Sequence, residues 1–305
     1  LQKFYMTVGL PGSGKSHYAA SIPNTVVHSS DSIRKELLGN DSDQTNQDLV
    51  FRTLYNRVLA DLEAGKNVVY DATNIKYKRR MQFLQNVRAL KNRDISVECI
   101  FTAVPYNLCL ENNASRERTV PEEVIKRMHE NIDIPMIAEG WDCIHIKGDS
   151  PAPNKIVDTL LKHLCDIEHD NPHHQFNIGQ HSLITWAIMK SKYPDASPAL
   201  IRAALLHDIG KESTKVFTDR HGNPSESANF YYHEKVGAYD SFAYTTDMSD
   251  YDRLTTALLI RWHMWPYVVK KSQNPNITAR KVRQLLGEDI WNQIMILNKC
   301  DRNAH

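Results

Sequence analysis

The sequence is poor in cysteine, nearly free of net charge and without a long apolar run. Its five cysteines, Cys99, Cys109, Cys143, Cys165 and Cys300, are odd in number and never spaced C-x-x-C. That excludes a disulfide framework or a zinc ribbon and points to a reducing cytoplasm. No apolar stretch approaches the ~20 residues that a membrane-spanning helix needs. Thirty-seven basic against 36 acidic residues leave a formal charge of +1, so no global field selects nucleic acid. A polyanionic partner must be held by local patches. There is no internal repeat, and 305 residues with 41% hydrophobic content are enough for two globular domains. The chain opens on Leu1 and stops at His305 just after a charged helical stretch, as a segment of a longer protein would.

What is present is a phosphate-binding loop. Gly9-Leu-Pro11-Gly12-Ser13-Gly14-Lys15-Ser16 follows the apolar run Phe4 to Val8 and precedes an amphipathic stretch from Tyr18 to Ile22. In a G-x-x-x-x-G-K-[ST] loop successive backbone N–H groups wrap the phosphates of ATP or another nucleoside triphosphate. The lysine reaches the β- and γ-phosphates and the serine hydroxyl ligates Mg²⁺. The following helix turns its N-terminus toward the same anion.

The first half alternates β-rich apolar runs with helical patterns. Strands are predicted at 4–9, 25–29, 67–71, 95–103 and 143–147. Helices are predicted near 15–21, 31–38, 45–64, 77–91, 105–114 and 121–132. This alternation predicts an α/β domain over 1–150, a parallel sheet with flanking helices, whose ligands sit at the carboxyl ends of the strands. Three polar clusters fall at those ends. In Ser29-Ser-Asp31-Ser-Ile-Arg34, Asp31 can take a proton from an attacking hydroxyl and Arg34 can hold a phosphate. The plainer alternative for Asp31 is a helix N-cap. In Asp71-Ala-Thr73-Asn74, followed by Arg79 and Arg80, Asp71 can serve the Mg²⁺ shell or orient substrate. The plainer alternative is a turn closed by the Asp71 and Asn74 side chains. Arg116-Glu-Arg118 precedes Val120-Pro-Glu-Glu-Val-Ile125, and such an arginine loop can cover a transferring phosphoryl group. A solvated charged face is its alternative.

The segment 148–154 is rich in Gly, Pro and polar residues and reads as the boundary, with a helix expected at about 155–169. Most of the 14 histidines lie beyond residue 140. His181 opens one helical pattern, the pair His207-Asp208 ends an apolar helix, and Asp301 closes a third. Polar ends of buried helices that converge in this way make a His/Asp cage for a divalent transition metal. Such a metal supplies an activated water for attack on phosphorus. The alternative, buried His and Asp without a ligand, would cost several kcal/mol.

The order P-loop, S-D-x-x-R, D-A-T-N and R-x-R resembles the polynucleotide 5′-kinase branch of P-loop phosphotransferases, including bacteriophage end-healing kinases, over about residues 3–147. The resemblance implies Asp31 as general base for a 5′-hydroxyl and Arg34 on the acceptor phosphate, with Arg116 or Arg118 on the donor. H…H-D-x-G-K…D resembles the HD superfamily of metal-dependent phosphohydrolases over about 166–305, an all-α domain expected within 151–305. The stretch from His207 to Ala238 is similar to the HD domain of bacterial tRNA nucleotidyltransferases. That resemblance implies Lys211 on the substrate phosphate, His233 and Glu234 in the site, and His233 with His263 on a second metal. The alternative for His263 is packing beside Trp262 and Trp265, and His173-His174 are expected in solvent. Together the halves imply an enzyme that phosphorylates 5′-hydroxyl ends and removes 2′,3′-cyclic or 2′/3′-terminal phosphates. RNA is favoured over DNA, and an RNA ligase is the functional partner. Lys76, Lys78, Arg79 and Arg80 are candidates for the kinase-side basic patch, with Lys211 and Lys215 near the metal. Two other readings share these motifs: a nucleoside or metabolite kinase fused to a nucleotidase, and an HD nucleotide sensor regulating an ATPase.

Overall fold

The computed structural model describes residues 1–90, 94–148, 155–171 and 175–304. The chain divides into two compact units, Leu1–Met128 with Pro135–Asp149, and His129–Ile134 with Ser150–His305. Residues 149–154 of the expected boundary segment 148–154, and the pair His173-His174, lie outside the described residues.

The first unit runs β1 (Gln2–Gly9), α1 (Lys15–Ser21), β2 (Val26–Ser29), α2 (Ser30–Leu38), α3 (Gln47–Glu63), β3 (Val68–Asp71), α4 (Tyr77–Arg88), β4 (Ile95–Thr102), α5 (Tyr106–Ala114), α6 (Glu122–His129) and β5 (Cys143–Lys147). The strands form one sheet in the order β2-β3-β1-β4-β5, every pair parallel. Parallel strands are covered on both faces, so they are apolar without alternation. Phe4, Met6, Val8, Val68, Val69, Val97, Cys99 and Phe101 are buried accordingly. The chain leaves β1 in the centre, goes to one side for β2 and β3, then to the other for β4 and β5. The crevice at the carboxyl end of β1 is the topological switch point, where such sheets take their ligands.

The second unit is mostly helical. It comprises α7 (Lys155–Leu164), α8 (Ile178–Lys192), α9 (Pro198–Leu206), α10 (Lys211–Thr214), β6 (Lys215–Thr218), β7 (Pro224–Phe230), α11 (His233–Asp240), α12 (Asp250–Trp262), α13 (Trp265–Lys271), α14 (Pro275–Leu286) and α15 (Glu288–Arg302). Helix starts follow local chemistry. The side chains of Asn177, Ser197 and Ser249 cap α8, α9 and α12, and Pro198 takes the first turn of α9. The core is built from Leu200, Ala203, Ala204, Leu206, Leu259, Ile260, Ile294 and Leu297. Two differences from expectation stand out. Helix α7 stops at Leu164, short of residue 169. The unit is also not all-α: β6 and β7 pair antiparallel across a turn at Asp219–Asn223. Asp219 closes that turn with its own side chain, and Gly222 takes a left-handed φ there.

Candidate active sites in the two units

At the end of β1 the loop bends back over the strand. Gly12 sits at φ 84°, and a Cβ there would lie 2.1 Å from the Cys109 carbonyl oxygen, so only glycine fits between the loop and α5. Ser13 Oγ lies 2.7 Å from Leu10 O and 2.6 Å from Thr102 Oγ1, and Asn112 Nδ2 donates to Gly12 O at 3.0 Å. Lys15 Nζ donates to Leu10 O at 2.7 Å. Burial draws the Lys15 ammonium down to about 8, against the pull of Asp71.

Asp71, at the end of β3, is buried and accepts from Ser16 Oγ at 2.7 Å and from Thr7 Oγ1 at 3.0 Å. The Ser16 hydroxyl and this carboxylate are the oxygen donors at hand for Mg²⁺. Asp71 thus faces the phosphate loop. The turn after it is structural. Asn74, at φ 44°, donates through Nδ2 to Thr7 O at 2.9 Å, and Thr73 O accepts from Gly9 N at 3.1 Å.

The expected helix cap at Asp31 is corrected: Ser29 caps α2, and Asp31 stands in its first turn. The Asp31 carboxylate instead pairs with Arg34 Nη1 at 2.7 Å and with Arg118 Nη1 at 3.0 Å. Arg118 also reaches Asp41 at 3.5 Å. Arg116 lies close enough to Lys15 for its charge to act on that ammonium. Of the two arginines in this loop, Arg118 is the one paired with the Asp31 and Asp41 carboxylates.

Arg80 departs from its expected place in a phosphate-binding patch. It is 1% exposed and grips Glu139 through Nε and Nη2, each at 2.6 Å, while Nη1 donates to Asn74 O at 2.8 Å. Arg79 and Lys78 remain exposed.

In the second unit, His181 of α8, His233 of α11 and the histidines that end α9 and α12, His207 and His263, turn their Nε2 atoms to one carboxylate. Asp208 Oδ2 lies 3.3 Å from His207 Nε2 and 3.6 Å from His181 Nε2. Its Oδ1 lies 3.7 Å from His233 Nε2 and 3.9 Å from His263 Nε2. Asp301 Oδ1 completes the first side, 3.0 Å from His181 Nε2 and 3.7 Å from His207 Nε2, and Tyr267 donates to Asp301 Oδ2 at 3.2 Å. Gly210 permits this approach, because a Cβ there would lie 2.2 Å from the His233 carbonyl oxygen.

The backbone sets the tautomers. His207, His233 and His263 each point Nδ1 at the carbonyl three residues earlier, on Ala204, Phe230 and Ile260, at 3.1, 2.8 and 2.7 Å. His181 Nδ1 faces Ala304 O at 3.3 Å. A carbonyl only accepts, so Nδ1 carries a proton in each ring, and where the ring is neutral, as at His233 and His263, Nε2 presents a lone pair. Burial draws His233 and His263 down to about 4, which keeps them neutral ligands. Burial also pulls on His207, but Asp208 and Asp301 outweigh it and raise that imidazole to about 10. Burial lifts Asp208, and His207 with Lys211 overcomes this and holds it well below the usual carboxylate range.

Nitrogen lone pairs and carboxylate oxygens gathered this closely repel one another unless a cation stands among them. Asp208 Oδ2 is buried and has no aligned hydrogen-bond donor, although Lys211 Nζ lies 2.8 Å away as an ion pair. Among the described residues His181, His207 and Asp208 form one ligand group and Asp208, His233 and His263 another, with ligand atoms within 4.8 Å of each other. The donor set of imidazole nitrogens and carboxylate oxygens fits a divalent transition metal.

Lys211 is buried, with Nζ 3.1 Å from His169 Nε2 and 5.4 Å from the Phe230 ring centre. His169 and Tyr267 are the neighbours that sequence reasoning missed. Nothing in E-H-D or P-Y-V marks either residue apart from its surroundings. Lys215, expected in a basic patch, is paired with Asp170 Oδ2 at 2.6 Å.

Comparison with known proteins agrees with this division. Residues 4–135 match the AAA domain family and residues 178–302 match the HD domain family. The chain thus joins a segment similar to the AAA domain to a segment similar to the HD domain. The L-seryl-tRNA(Sec) kinase of Methanococcus maripaludis is 28% identical over 166 residues, 50% of this chain, and the match spans 63% of that relative's length. A chain of the Pnkp1/Rnl/Hen1 RNA repair complex aligns at 22% identity with a TM-score of 0.34, covering 42% of each chain. A fungal RNA kinase aligns at 16% identity with a TM-score of 0.36, covering 54% of this chain and 88% of that one. Among the described residues no helix is long and apolar enough to cross a membrane.

Proposed function

We propose that this chain heals broken RNA ends. The P-loop unit transfers the γ-phosphate of ATP to a 5′-hydroxyl, and the HD unit removes a 2′,3′-cyclic or terminal 2′/3′-phosphate. The observation that carries the reading is one chain holding both a phosphate loop with an arginine-held carboxylate, Asp31, and a His/Asp cluster centred on Asp208. The similarity to a kinase named for an RNA-borne acceptor, L-seryl-tRNA(Sec), supports RNA as the acceptor class.

In the first site Lys15 and Arg116 would hold the donor phosphates, and Ser16 and Asp71 would hold Mg²⁺, which supplies charge for the transferring group. Asp31 takes the hydroxyl proton as the new O–P bond forms and ADP departs. Arg34 and Arg118 orient that carboxylate. Release of Arg118 from Asp31 frees the oxygen that accepts the proton. In the second site His181, His207, His233, His263, Asp208 and Asp301 would hold one or two divalent ions. When bound, these supply Lewis acidity and an activated water. Lys211, anchored by Asp208 and His169, presents positive charge to the substrate phosphate.

The test is double end-mapping. A synthetic RNA with a 5′-hydroxyl and a 2′,3′-cyclic phosphate is incubated with labelled ATP, Mg²⁺ and Mn²⁺. The expected product carries label at the 5′ end and has lost its cyclic phosphate. Free nucleosides accepting phosphate far better than a ten-residue oligonucleotide would replace this reading with the metabolite-kinase one.

A further inference from the structure

We infer that the β6–β7 hairpin is a stacking ledge for the terminal bases of a nucleic-acid substrate whose phosphate lies at the His/Asp cluster. The inference rests on reading that cluster as a nucleotide phosphohydrolase site.

The hairpin is rooted in the site. The Phe230 carbonyl holds His233 Nδ1 at 2.8 Å, the Phe230 ring lies 5.4 Å from Lys211 Nζ, and it meets His169 edge to face at 6.0 Å. Lys215 stands opposite Phe230 in the ladder. Opposed residues share a face of the ribbon. Lys215 Nζ also lies 5.9 Å from the Phe217 ring, which puts Phe217 on that face. One face of the ribbon thus carries Phe217, Lys215 and Phe230, and its inner end touches the lysine that would hold the phosphate.

Two aromatic side chains here are about half exposed. Phe217 is 49% exposed on a two-stranded ribbon. Tyr232 is 48% exposed and directly precedes the ligand His233. It sits at φ 66° as the N-cap of α11 and makes no side-chain cap. A left-handed backbone is unfavourable for a bulky residue, and Ser, Asp, Asn or Gly serves better at an N-cap. Strain held at an exposed aromatic beside a ligand is the mark of a binding residue. An aromatic ledge leading from a cation at a phosphate suits nucleobases, whose faces stack on such rings without regard to sequence.

The probe is a short oligoribonucleotide with its 5′ end blocked, 2-aminopurine in its last two residues and a 3′-thiophosphate. Stacking on the ledge should quench the 2-aminopurine. Phe217→Ala and Tyr232→Ala should each weaken binding by about 5- to 150-fold and restore fluorescence. Tyr232→Gly should lose the same affinity with no fall in Tm, because glycine accepts the left-handed cap. An oligonucleotide whose last two residues are abasic should bind wild type as weakly as the variants. Unchanged affinity in Phe217→Ala and Tyr232→Gly, or abasic RNA bound as tightly as the parent, overturns the ledge. Hydrolysis of the matching 2′,3′-cyclic phosphate is scored separately. Base-dependent binding without any hydrolysis supports the ledge and defeats the phosphohydrolase reading alone.

Discussion

Removing the Arg80 side chain should unfold the P-loop unit before it touches substrate affinity. Arg80 and Glu139 have side chains 1% and 0% exposed, joined at 2.6 Å. The carboxylate also accepts from Trp141 Nε1 at 3.2 Å and Met136 N at 3.0 Å. Arg80→Ala leaves those two neutral donors facing a buried negative charge, and it removes the donor to Asn74 O. Breaking a buried pair from one side costs about 3–5 kcal/mol. At about 2–4 °C per kcal/mol for a unit of this size, Tm should fall by ~6–20 °C. Calorimetry reads this directly, since the affected transition is the one that ATP raises. The double substitution Arg80→Met with Glu139→Leu removes both charges and should recover much of the loss. Arg79→Ala, at an exposed position, should leave Tm within about 1 °C and raise KM for an oligonucleotide. The reasoning fails if Arg80→Ala melts like wild type while its oligonucleotide KM rises.

The remaining predictions separate the two chemistries. Asp31→Ala should cut phosphoryl transfer by ~10²–10⁴ in single-turnover assays and leave HD hydrolysis at the wild-type rate; wild-type transfer would remove Asp31 from its role. Arg116→Ala should raise KM for ATP and lower kcat, whereas Arg118→Ala should act on kcat and the acceptor KM alone. Equal effects on ATP would refute this assignment of Arg118 to the Asp31 side. Asp208→Asn should abolish hydrolysis and bound transition metal, measured by mass spectrometry on purified protein, with kinase activity retained. Stoichiometric metal in that variant would contradict the shared carboxylate. Lys15 also gives a pH signature. Burial lowers it to about 8 in the free protein, and bound phosphates raise it. ATP binding is therefore strongest below pH 8, and it should weaken by up to tenfold per unit above that, with proton uptake in calorimetry. Affinity flat from pH 7 to 9.5 would deny that Lys15 meets the phosphates.

Sequence pattern is most informative where a role depends on residue type and local spacing, and least where it depends on which of two similar side chains the fold buries. Continuous apolar runs located every strand of the parallel sheet because burial on both faces forces that composition. The ligand histidines were visible because polar residues ending apolar helices have few inexpensive explanations. Arg79 and Arg80 show the limit. They are adjacent and chemically identical, yet a helix turns successive residues about 100° apart, sending one to solvent and the other onto Glu139, 59 positions away. No local pattern encodes that partner. His169 fails for the same reason: its value comes from Lys211, 42 residues on, and from a carbonyl at Phe176 that fixes its ring. The β6–β7 ribbon was hidden differently. Four-residue β6 is too short for its alternation to rise above a helical background, and only the Asp219–Asn223 turn announces it. That ribbon nevertheless carries Phe217, whose ring is half exposed, and leads to the exposed Tyr232. In a chain with a net charge of +1, stacking supplies affinity that electrostatics does not. Salt should accordingly weaken oligonucleotide binding at the HD unit less steeply than at the kinase unit, where Lys78 and Arg79 lie open to solvent.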